Sequence, residues 1–129
     1  MQDRKRAKLI KEVLGNQRNP KQEVQALQDT IYVISGKWKL PVIYSICSGN
    51  RRFTDIERSI PGISPRMLSR ELKELEANQI IRHAVDPNTP GIVEYFETEY
   101  CFSFSGIILE MIKWGKDHLA RIKTMMKKG

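Results

Sequence analysis

Apolar side chains along this 129-residue chain recur mostly at three- and four-residue intervals, the spacing of helices with one buried face. Leu9, Ile10, Val13 and Leu14 predict a short amphipathic helix that stops at Gly15. The polar, Lys/Arg-rich residues 1–22 contain Gly15, Asn16, Asn19 and Pro20 as breakers. Val24, Leu27, Ile31 and Ile34 predict a second helix, closed by Ser35-Gly36. Trp38 to Cys47 predicts a third, which must begin near Trp38. Pro41 fits a helix only in its first turn, where its missing N–H has no partner to lose.

The pattern then shortens. Arg51-Arg52-Phe53 reads as extended, and Thr54 with Glu57 three positions on reads as a capping box. Pro61-Gly62 ends that brief helix. Ser64 is a second cap, Pro65 takes the first helical position, and Leu68, Leu72 and Leu75 mark one buried face. Ile80 to Val85 and Ile92 to Phe96 are β-rich runs around the turn signal Asp86-Pro87-Asn88-Thr89-Pro90-Gly91, which predicts a hairpin. Thr98 is a last cap. The long helix after it carries Phe104, Ile107, Ile108, Met111, Ile112, Leu119 and Ile122.

Two helices joined by a Pro-Gly turn and followed at once by a hairpin predict a winged helix-turn-helix. The expected fold class is mainly α with a small β-hairpin (α+β), with N- and C-terminal dimerisation helices. The expected division is a basic extension over 1–22 and one domain over 23–125.

In such a fold the second helix of the pair enters the major groove of DNA, N-terminal end first. With the leucines inward, its other face shows Arg66, Ser69, Arg70 and Lys73. Arginine can bond two acceptors on guanine, whereas serine and lysine more often hold phosphates. The helix start at Ser64 adds free backbone N–H groups. A solvated helix face would read the same way; the turn and hairpin favour DNA. Glu71, Glu74 and Glu76 would repel phosphate, so they should face away or pair with Arg70 and Lys73. Lys37, Arg51 and Arg52 stand at element ends as candidate phosphate clamps, and Asn88 and Thr89 at the hairpin tip as candidate backbone contacts.

Charge adds less than its total suggests. The net charge is +7, but residues 36–97 carry 9 basic and 8 acidic side chains. The excess lies at the two ends, so arrangement and not total charge supports DNA binding. The last helix carries more apolar surface, with Trp114, than a small core can cover. Leu27, Ile31, Ile108, Met111, Ile112 and Trp114 are therefore candidate homodimer contacts, and two-fold proteins read paired half-sites.

Gly36-Lys37-Trp38-Lys39-Leu40-Pro41, Arg52-Phe53, Pro61-Gly62-Ile63-Ser64, Arg66-Met67-Leu68, Leu72, Leu75, Val93-Glu94-Tyr95 and Trp114-Gly115 together resemble the HxlR-type regulators. The resemblance spans roughly residues 24–120. It implies a bacterial winged-helix dimer that binds a palindromic operator and represses or activates nearby genes. It also implies that Arg66, Ser69, Arg70 and Lys73 lie on the recognition helix, and that the first and last helices of the domain make the dimer. Three positions depart from the pattern. Gln25 stands where many redox- or aldehyde-responsive members carry cysteine, Pro65 where members often carry Gln, and Ile92 where members commonly carry Arg.

No stretch approaches the ~20 apolar residues of a membrane helix, and no apolar run of signal-peptide length follows the basic start, so a cytoplasmic protein without membrane contact is expected. His83 and His118 lack spaced partner ligands, so no metal is expected, and no cofactor motif appears. No nucleophile elbow is present, and an enzyme is not expected. Cys47 and Cys101 fit neither a metal spacing nor a disulfide framework. Cys47 reads as a core residue. Cys101 reads as core too, with a reactive thiol at a helix start as the alternative. Two other functions compete with DNA binding: a winged-helix module for protein–protein contact, and a sensor holding a small-molecule effector.

Overall fold

The computed structural model describes residues 2–15 and 19–128; the breaker Asn16 and the side chain of Val13 lie outside what is described. The chain divides into two compact units, Met1–Ser35 and Gly36–Gly129.

The first unit holds helices α1 (Gln2–Leu14) and α2 (Pro20–Ile34). Asn19 and Pro20 do more than interrupt. The Asn19 side chain accepts from the Gln22 N–H at 3.2 Å, and Pro20 opens the helix, so the pair is a start signal. Val24, Leu27 and Ile31 are exposed on α2, and Ile34 is buried.

The second unit runs α3 (Lys39–Cys47), α4 (Phe53–Ser59), α5 (Pro65–Ala77), β1 (Ile81–Val85), β2 (Val93–Glu97) and α6 (Phe102–Lys128). Trp38 caps α3, so Pro41 falls in the first turn as expected. Thr54 does not cap α4. Arg52 is the capping residue, and its extended backbone forms a β-bridge with Glu94, so the helix starts directly after it. Gly62 in the turn before α5 has φ +87°, a left-handed backbone that only glycine adopts freely, and a Cβ there would lie 3.6 Å from the Trp38 ring.

Ser64 caps α5 by accepting from the Met67 N–H at 3.1 Å. After α5 the chain reverses at Gln79, a non-glycine residue at φ 63°. The strands pair antiparallel with Ile81 opposite Glu97, His83 opposite Tyr95 and Val85 opposite Val93. Thr98 closes this unit's wing onto its helices: its hydroxyl donates to the Gln79 carbonyl at 2.6 Å and accepts from the Cys101 N–H at 3.2 Å. It therefore caps the turn before α6, which itself begins at Phe102.

The core collects Val42, Ile43 and Ile46 of α3, Ile56 of α4, Leu68, Leu72 and Leu75 of α5, and Ile81 of β1. Ser45 and Ser59 join α3 to α4 through hydroxyls 2.6 Å apart. Cys101 is buried, but Cys47, expected in the core, is exposed. The reason is position: Cys47 is the last residue of α3 and lies off the face that carries Val42, Ile43 and Ile46.

Candidate nucleic-acid interface

Helix α5 sorts its side chains by period. Leu68, Leu72 and Leu75 are at most 2% exposed. On the other side Arg66, Arg70 and Lys73 are exposed and Ser69 is half-buried. The geometry thus brings these four side chains to one face of the helix, above a rigid leucine base. Ser64 is half-buried, and its hydroxyl is used as the cap.

The acidic residues of α5 are removed from that face by partners the sequence pattern did not reveal. Glu71 is buried, and its Oε2 lies 2.8 Å from the Lys39 ammonium, a charge contact without an aligned hydrogen bond to that oxygen. Lys39 hydrogen-bonds Glu74 as well. Burial alone would lower the Lys39 pKa; the two carboxylates outweigh it and hold the ammonium above its ordinary value. The hydrogen bond from Lys39 in turn lowers the Glu74 carboxyl. Glu76 pairs with the His83 ring and accepts from the His83 N–H at 3.0 Å. The expected pairing with Arg70 survives only as a 3.9 Å contact between Arg70 and Glu74. Lys39 could have drawn notice, because a lysine in the first turn of an otherwise apolar helix needs a buried acid.

The remaining basic candidates separate. Lys37 is exposed, with its ammonium 4.8 Å from the Trp38 ring centre. Arg52 is exposed at the bridge to β2. Arg51 is engaged by Glu97, with Nη1 2.6 Å from Oε2, and its guanidinium stacks on Phe96. That hydrogen bond raises the Arg51 pKa and lowers that of Glu97.

In the wing, Asn88 and Thr89 are exposed at the tip, ordered by an Asp86 carboxylate that accepts from the Asn88 N–H at 2.9 Å. The basic side chain of the wing is Arg82, on β1, where it stacks on Phe96 at 4.7 Å. It escaped the sequence reading because attention fell on the turn, and the strand brings the charge.

Among the dimer candidates, Met111 and Trp114 are exposed on α6, as are Leu27 and Ile31 on α2. Ile112 is half-buried and Ile108 is 7% exposed, so Ile108 belongs to its own chain's core. Between α3 and α6 lies an apolar groove of about 540 Å³ lined by Leu40, Pro41, Tyr44, Ile108, Met111 and Ile112, with Lys116 at its edge. Among the described residues no cluster of His, Cys, Asp or Glu could hold a metal ion, and no helix is long and apolar enough to cross a membrane.

Comparison with known proteins agrees with this geometry. The profile of the HxlR-like helix-turn-helix family matches residues 33–123. The HTH-type transcriptional regulator YybR of Bacillus subtilis is 34% identical over 110 residues, 85% of this chain and 88% of that protein. YtcD of the same organism is 35% identical over 97 residues, 75% of this chain and 77% of that protein. Among solved structures, the redox regulator HypR in its reduced form superposes with a TM-score of 0.71 at 35% identity, covering 77% of this chain and 98% of that one. The reduced form of YodB from B. subtilis gives 0.62 at 34% identity, over 69% and 87%. With its helix pair, its hairpin wing and these relatives, the chain belongs to the HxlR-like helix-turn-helix family of DNA-binding transcriptional regulators.

Proposed function

We propose that this regulator acts as a homodimer on a palindromic operator, placing α5 of each copy in the major groove. The observation that carries this reading is the sorting of charge on α5: Arg66, Arg70 and Lys73 are exposed while Glu71, Glu74 and Glu76 are held by Lys39 and His83. A merely solvated face would not need its acids held aside. Arg66 and Arg70 are assigned base contacts, and Ser64, Ser69 and Lys73 phosphate contacts. Lys37 and Arg52 flank them as phosphate clamps. Arg51, already paired with Glu97, braces the wing, where Arg82 joins Asn88 and Thr89 as the side facing the DNA backbone.

Dimerisation is supported by apolar surface without cover in one chain. Met111 and Trp114 on α6, continuous with the groove bordered by Ile108 and Ile112, and Leu27 and Ile31 on α2 are the surfaces assigned to the second copy. A cytoplasmic location follows from the DNA target.

Selection from random duplexes with purified protein tests the reading. It should return an inverted repeat, with affinity falling steeply as salt rises. Arg66→Ala should cost about 1–3 kcal/mol on the selected site and relax one base position, with the melting temperature unchanged. Selection that returns no preferred sequence, or an Arg66→Ala profile identical to the parent's, removes the assignment.

A further inference from the structure

Cys47 and Cys101 share no sequence motif, yet the fold places them together. Cys47 ends α3 and is exposed; Cys101 stands immediately before α6 and is 1% exposed. The two thiols share a hydrogen bond, with Cys101 donating to the Cys47 sulfur. The charged groups facing them are Arg51 and Glu97, which are paired with each other. We propose that Cys47 and Cys101 form an oxidisable dithiol couple that closes to an intrachain disulfide when a peroxide supplies the oxidant, fastening the end of α3 to the start of α6.

Several observations converge on this couple. A disulfide requires two cysteines whose backbones already approach closely with their sulfurs turned toward each other. Thiols in mutual hydrogen bond, held on the ends of two helices, meet the second requirement outright and come near the first. The Cys101 backbone is fixed as well, since its N–H donates to Thr98. Roles divide by access. Burial pushes the Cys101 thiol up to about 12, so it stays protonated and does not start the reaction. Cys47 is raised too, chiefly by desolvation of its sulfur, while the hydrogen bond from Cys101 works against that rise. Cys47 is the sulfur an oxidant can reach.

The chemistry balances in two steps. The Cys47 sulfur, after loss of its proton, attacks one peroxide oxygen. The O–O bond breaks, Cys47 becomes a sulfenic acid, and the other oxygen leaves as an alcohol, or as water from hydrogen peroxide, carrying the proton. The Cys101 sulfur then attacks the Cys47 sulfur. The S–O bond breaks and hydroxide departs, taking the Cys101 proton to form water. Two thiols lose two electrons and two protons, and the peroxide accepts them all. The raised pKa of both thiols makes the couple slow, so it answers sustained peroxide exposure and not a brief pulse.

The test treats the full chain with hydrogen peroxide, quenches it, and alkylates free thiols in denaturant. The expected product is a single chain lighter by two hydrogens, with no alkylatable thiol, a cross-linked Cys47–Cys101 peptide, and full reversal by dithiothreitol. Amide exchange in the first turn of α6 should slow in the oxidised chain. Cys47→Ser, an exposed change that leaves the core intact, should abolish the product. Cys101→Ser should leave Cys47 as a trappable sulfenic acid. Two chains joined through Cys47 with Cys101 still reduced would overturn the proposal. So would two alkylatable thiols after excess peroxide, and a disulfide without slower exchange would remove the fastening of α6. None of these outcomes depends on DNA binding, so a failed operator selection leaves this test intact.

Discussion

Helices α5 and α6 lie in the same compact unit and use the same apolar periodicity, but only one of them is finished within the chain. In α5 every leucine of the stripe is buried, with Leu68 and Leu75 at 0%. In α6, Leu109 is 64% and Trp114 67% exposed, and Ile107, Leu119 and Met125 are also exposed. The difference is one of supply. The 13 residues of α5 find α3 and β1 to cover them, whereas the 27 residues of α6 extend about 40 Å and outrun the small core. A closed stripe makes the opposite, polar face of α5 the working surface. An open stripe makes the apolar face itself the working surface of α6.

The largest effect should come from breaking the closed stripe and leaving the open one alone. Leu72→Ala, at a site with no room to relax on either side, should cost about 2–5 kcal/mol of folding stability. Trp114→Ala removes a larger side chain yet should change the stability of an isolated chain by less than about 0.5 kcal/mol, as surface changes do. It should instead weaken association, seen as a shift toward monomer in sedimentation at equal concentration. Chemical denaturation of both variants across protein concentration separates the cases. Equal losses in the two would show that α6 packs like α5 and is not an interface.

An intermediate effect tests how the acids of α5 are held. Lys39→Met keeps the side chain's length but leaves Glu71 buried without its counter-charge, at a cost of about 1–3 kcal/mol. The exposure of Glu74 keeps that figure at the lower side. Adding Glu71→Gln should restore most of the loss, because the remaining amide carries no charge to desolvate. A double variant no better than Lys39→Met alone would mean that Lys39 acts by packing rather than by charge.

What the sequence disclosed follows the same division between closed and open. Leu68, Leu72, Leu75 and the Ser64-Pro65 start were legible because caps and helical period are local. The hairpin was legible from its dense turn. Thr54 misled because a capping box is a local rule, and here the Arg52–Glu94 bridge, a contact across the fold, sets where α4 begins. Lys39 with Glu71, Arg51 with Glu97, and Cys47 with Cys101 were illegible for one reason: each joins elements distant along the chain, and no spacing rule encodes such a meeting. The four basic and polar side chains of the α5 face were named correctly as neighbours, but why their face is free of acids could be seen only once Lys39 and His83 were in place.

The smallest expected effect lies between these two helices, in the wing. Arg51 and Glu97 tie the strand-like segment before α4 to the end of β2, with the two side chains 28% and 19% exposed. The Arg51 hydrogen bond holds the Glu97 carboxyl below its ordinary value, against an opposing push from burial. Because the folded value is depressed, the unfolded chain takes up the proton more readily as pH falls. The pair's contribution is therefore complete above the unfolded carboxylate's range, and it is lost as pH drops through the lower folded value. Partial exposure keeps it to about 0.5–1 kcal/mol. Glu97→Gln should lower stability by that amount at neutral pH, and the two stability curves should meet only in acid, below the depressed Glu97 value. A gap that persists unchanged into acid would assign the loss to the wing's packing around Phe96 instead, where Arg51 and Arg82 both stack. That outcome would make the wing resemble α5, held by fit, and not a segment fastened by one charge pair.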